Sequence, residues 1–126
     1  MNPAEPDRAA PANPAEQRVA PRRHVIVPIT VLVTDGRRLA GRTLDVSAVG
    51  VGFRLSEQVN PGSAVAVSFD LPTRRMGLIA VRASGRVANC IPVPNADLYR
   101  LGVQWVTVPE LTLQALRAFA LGGPDS

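Results

Sequence analysis

The chain has 126 residues and a mass of 13.4 kDa, room for one domain, since a second would leave neither half an adequate core. Hydrophobic residues make up 46% of it and aromatic residues only 4%, so the core is expected to be built from Val, Leu, Ala and Ile, a composition that favours strands. The formal charge is +4, and all fourteen basic residues are Arg, whose planar forks suit anionic partners, whereas one Cys and one His exclude an intrachain disulfide and a structural zinc site.

Residues 1–17 hold Pro3, Pro6, Pro11 and Pro14 among small and polar residues without apolar periodicity, and are expected to be an unstructured leader. They lack an apolar signal-peptide core, and no window of the chain approaches the roughly eighteen apolar residues of a membrane span, so a cytoplasmic protein is expected. The leader turns basic at Arg18-Val19-Ala20-Pro21-Arg22-Arg23-His24, expected to be a flexible arm. The domain is expected over residues 18–121, with a short tail at 122–126.

A first strand is expected from Val25, with Val25, Val27, Ile29, Val31 and Val33 on one face and Pro28 at an edge or bulge. Asp35-Gly36 predicts a hairpin turn, and Leu39 to Leu44 the returning strand. A polar corner follows at Asp45-Val46-Ser47-Ala48-Val49-Gly50. Asp45 and Ser47 have side chains that bond back to their own backbone in tight turns, and Gly50 can take the positive φ such turns often demand. The same residues also make a small polar pocket: an acceptor, a hydroxyl, and bare N–H groups that a ligand can approach.

Val51, Phe53 and Leu55 predict a third strand, and Ala64 to Phe69 a fourth, ended by Leu71-Pro72. After the basic loop Thr73-Arg74-Arg75-Met76-Gly77, a long strand is expected over Leu78 to Val87, bent at Ser84-Gly85. Cys90 reads as a small strand or core residue. Tyr99, Leu101, Val103 and Trp105 give the inner face of the last strand. From Pro109 the period becomes helical, with Leu111, Leu113, Ala115, Leu116, Phe119 and Ala120 apolar, up to Gly122-Gly123-Pro124. Six strands and one terminal helix, with no crossover helix between strands, predict a mainly all-β chain: a small six-stranded antiparallel β-barrel with the helix packed over an open end.

Nothing in the chain predicts an enzyme: there is no Cys/His pairing, no acid pair at recognisable spacing and no phosphate-loop signature. What stands out is Arg18-x-x-x-Arg22 before the first strand together with Asp45-x-Ser47-x-x-Gly50 after the second. In order and separation this pairing resembles the PilZ family of cyclic di-GMP receptors, and Leu101-Gly102-Val103-Gln104-Trp105 is similar to the run that commonly ends the family's last core strand. The resemblance covers about residues 17–121. It implies a bacterial adaptor that binds cyclic di-GMP and signals to an effector protein through an arm ordered by the ligand, as a monomer or weak dimer, with no metal or cofactor. By resemblance Arg18 and Arg22 clamp the ligand, with Arg23 as the alternative if the register slips by one. Asp45 and Ser47 bond to guanine or orient the arginines, and Gly50 shapes the turn. Two other readings keep the barrel: an interaction module that binds no nucleotide, and nucleic-acid binding through Arg37, Arg38, Arg74 and Arg75, which the scarcity of aromatic stacking platforms disfavours.

Overall fold

Period-two alternation of apolar residues runs through most of the chain, and strands that bury one face must close on one another or on a helix. Here they close into a barrel, seen in a computed structural model that describes residues 20–122. The elements are β1 (Arg22–His24), β2 (Pro28–Val33), β3 (Arg38–Ser47), β4 (Gly50–Leu55), β5 (Ala64–Thr73), β6 (Gly77–Pro92), β7 (Tyr99–Thr107) and a helix α1 (Glu110–Leu121). Strands run in the order β3-β2-β5-β6-β7-β4, all pairs antiparallel, and β4 returns to pair with β3. The expected six-stranded barrel with a C-terminal helix is therefore the observed fold.

Its interior is aliphatic, as the composition demands. Val31, Val46, Phe53, Leu55, Leu71, Val81 and Leu101 are fully buried, and each such side chain contributes about 1.5–3 kcal/mol relative to exposure. The helix seals the core with Leu116 and Phe119, both buried, and packs against β1, β3 and β6. Leu111, expected on its apolar face, is 79% exposed, so the packed stripe is narrower than its composition suggests.

Four boundaries differ from expectation. The first strand is not continuous: β1 and β2 share one edge of β3, interrupted at Val25–Val27. There part of the ladder is replaced by a side chain. The buried Thr43 hydroxyl accepts from the Val27 N–H at 2.9 Å and donates to the Val25 carbonyl, while backbone bonds run from Val25 N to Leu44 O and from Thr43 N to Val27 O. Pro28, which has no N–H to give, begins the second piece. In consequence Arg22, Arg23 and His24, expected on a flexible arm, lie on a paired strand.

The second strand runs through the expected corner to Ser47, leaving only Ala48 and Val49 as the turn. Strand β5 continues past Pro72, which is tolerated because pairing with β2 stops at Phe69 and leaves one side of β5 open. Strand β6 extends to Pro92, with register shifts at the expected Ser84/Gly85 and again at Val87/Asn89.

The hairpin tip between β2 and β3 is tied down locally. Arg37 pairs with Asp35 at 2.9 Å and with Glu57 at 3.5 Å, and donates to the Gln58 carbonyl at 3.1 Å. Among the described residues no helix is long and apolar enough to cross a membrane.

Candidate functional site

Residues directly opposite one another on antiparallel strands point to the same side of the sheet, about 4.8 Å apart. Arg22 is opposite Ser47 and His24 opposite Asp45, so these four side chains share the outer face of the barrel wall. Arg23, one residue along, must point the other way. Its guanidinium stacks 4.3 Å over the Phe119 ring, and Nη1 donates to the Phe119 carbonyl at 3.2 Å. A cation at the carbonyl end of a helix also complements the helix dipole. The structure thus brings together Arg22, Asp45, Ser47 and Gly50, and directs Arg23 to the helix; Arg18 lies outside the described residues.

The Ser47–Gly50 hairpin is held by its own hydroxyl. Ser47 Oγ accepts from the N–H groups of Val49 and Gly50 at 3.1 and 3.2 Å and donates to the Gly50 carbonyl at 3.4 Å; the residue is 2% exposed. Trp105 fastens the turn from β7, donating its backbone N–H to the Val49 carbonyl at 2.9 Å and its indole N–H to the Ser47 carbonyl at 3.2 Å. The reason for glycine at position 50 is not the expected positive φ, which this residue does not have. A Cβ there would stand 2.2 Å from the Val103 carbonyl oxygen, so the close approach of β4 to β7 excludes any side chain.

Asp45 continues a row that crosses four strands: Asp45 faces Gly52, Gly52 faces Gly102, and Gly102 faces Asn89. The paired glycines leave bare backbone between two polar side chains. A Cβ on Gly52 would stand 2.8 Å from Asp45 Oδ1, and one on Gly102 3.1 Å from Asn89 Nδ2, so both side chains lean over this floor. The result is a cleft of about 450 Å³ walled by Arg22, Asp45, Asn89, Ile91, Arg100 and Gln104. Two further depressions, of about 420 and 600 Å³, lie around Ser68 and Arg82 on the β2–β5–β6 side. Volume does not single out the Arg22 cleft; its combination of guanidinium, carboxylate, amide and bare backbone does.

Asn89, Gly52, Gly102 and Arg100 were not singled out in the sequence as site residues. Asn89, on β6, lies beyond Val87, where the long strand from Leu78 was expected to end, and the bare floor emerges only from registers between strands distant in sequence.

Comparison with known proteins adds to this geometry. The family model described as PilZ domain matches residues 16–122. No curated protein matches the chain. Among solved structures, the Bacillus subtilis inhibitor of motility MotI/DgrA is similar with a TM-score of 0.73 at 13% identity, over 84% of this chain and 50% of that one. The chain thus spans half the length of that protein. The PilZ domain with c-di-GMP of YcgR from Escherichia coli has a TM-score of 0.61 at 15% identity, over 84% and 90% of the two chains. The PilZ domain of CeSA from a cellulose-synthesizing bacterium has 0.53 at 18%, over 80% and 95%.

Proposed function

Because this chain belongs to the PilZ domain family, a family of cyclic di-GMP receptors and adaptors and not of enzymes, we propose that it binds cyclic di-GMP in the cleft beside Arg22 and signals its occupancy to an effector protein. The observation that carries the reading is the placement of Arg22 and Asp45 on one face, flanking a glycine floor.

The ligand presents two anionic phosphates and two guanines. A guanidinium binds a phosphate or the O6/N7 edge of guanine bidentately, and a carboxylate accepts from the guanine N–H groups. Arg22 is the cationic wall and Asp45 the acceptor wall, and the Gly52–Gly102 floor lets a flat base approach the backbone. Arg18, four residues before Arg22, supplies the second guanidinium of the clamp. Ser47, whose hydroxyl serves the hairpin backbone, acts chiefly by fixing the turn next to Asp45. One bidentate contact contributes about 1–3 kcal/mol, while a micromolar complex needs about 8, so several walls must act together.

The likeness of the fold to the YcgR domain that holds c-di-GMP supports the same ligand. Adding cyclic di-GMP to the labelled chain is expected to shift the amide resonances of Val49, Gly50, Gly52, Asn89 and Gly102 together. Shifts confined to the β2–β5–β6 side would refute this placement.

A further inference from the structure

Adjacent to the glycine floor a second row crosses the barrel wall, and nothing in the proposed ligand site requires most of it. Arg42 on β3 is directly opposite Arg54 on β4, and Arg54 directly opposite Arg100 on β7. The row ends in Pro28 beside Arg42 and in Ile91 beside Arg100, the latter 56% exposed. We propose that this row is a docking surface for an acidic protein segment, an amphipathic helix carrying carboxylates on successive turns.

Like charges directly opposite on neighbouring strands destabilise a sheet. Here three guanidiniums stand side by side on paired strands, all exposed, and among the described residues none of them is in an ion pair. Arg37, by contrast, has both Asp35 and Glu57 beside it, whereas the three members of the row have only one another as charged cross-strand neighbours. The row is also rigid, since its members sit on closed barrel strands rather than on loop tips. Spacing then selects the partner. Strands repeat about every 4.8 Å, and side chains three or four residues apart on a helix are about 5–6 Å apart, so carboxylates at i, i+4 and i+8 meet the three guanidiniums in register. The apolar ends, Pro28 and Ile91, match an amphipathic helix better than a single-stranded nucleic acid, whose bases would find no exposed aromatic platform on the row. Arg100 and Ile91 also line the ligand cleft, so docking on this row is sensitive to what the cleft holds. The proposal does not depend on which ligand that is.

The test uses the full chain and a synthetic helical peptide with Glu at i, i+4 and i+8, beside a matched peptide with Gln at those positions and a DNA duplex. The Glu peptide is expected to shift the amides of Arg42, Arg54, Arg100 and Ile91, and to bind at least tenfold more weakly to Arg54→Gln/Arg100→Gln. Arg82→Gln, on the opposite wall, is expected to bind as the parent does. The double variant should melt no lower than the parent, because it removes like-charge repulsion. Equal binding of the Gln peptide, equal loss in Arg82→Gln, or tighter binding of the duplex at moderate salt would overturn the proposal.

Discussion

Asp45 Oδ1 lies 2.8 Å from the point where a Cβ on Gly52 would stand, so the carboxylate occupies the space that the glycine leaves empty. In Gly52→Ala the obstacle is the far end of a side chain, not backbone, and the fold adapts by turning Asp45 away. The variant is expected to melt close to the parent and to bind cyclic di-GMP about tenfold more weakly, about 1.4 kcal/mol, measured by calorimetry beside a thermal melt.

Gly50→Ala meets a different neighbour, the Val103 backbone carbonyl at 2.2 Å. The β4–β7 pairing must open to admit a methyl group, and overpacking of this kind costs about 1–3 kcal/mol or more. Urea unfolding is expected to show a midpoint lowered accordingly, in contrast to Gly52→Ala.

The neighbouring arginines Arg22 and Arg23 separate function from stability. Arg23→Ala loses the stacking on Phe119 and the bond to its carbonyl, and is expected to cost about 1–2 kcal/mol with ligand affinity retained. Unfolding and titration of the same sample check both halves.

Ser47→Ala leaves the Val49 and Gly50 N–H groups without their acceptor. A loss of about 0.5–1.5 kcal/mol is expected, with faster hydrogen exchange at those two amides and weaker ligand binding.

Asp35 is held below the usual carboxylate range, chiefly by the bond from the Arg37 backbone N–H; desolvation, the next largest effect, opposes this, and the Arg37 guanidinium adds to the lowering. A carboxyl lowered by folding stabilises the native state most at pH above its unfolded value. That contribution is lost as pH falls through the lowered folded value. Titration of the Asp35 side-chain carbon by NMR is expected to show a midpoint that rises in Arg37→Ala.

The barrel was legible because period-two alternation is nearly unbroken and each strand carries its own turn signals. Val31, Phe53, Val67 and Leu101 point inward as their spacing requires. The interruption at Val25–Val27 was not legible, because it is made by Thr43, a residue from another strand that replaces ladder bonds with its hydroxyl. Of the site, Asp45, Ser47 and Arg22 could be read as local motifs. The separation of Arg22 from Arg23 follows only once β1 is known to be a strand, whose alternate residues take opposite faces. Gly50 was identified for a reason other than the real one: the close approach is to Val103, which lies 53 residues away in the chain.

The most direct test of the account is a calorimetric titration of the full chain and of Arg22→Ala with cyclic di-GMP. Saturable binding by the parent, with at least a tenfold loss in the variant and no change in melting temperature, is the expected result. No binding by the parent, or equal affinity in the two proteins, would contradict the assignment of the cleft beside Arg22 as the ligand site.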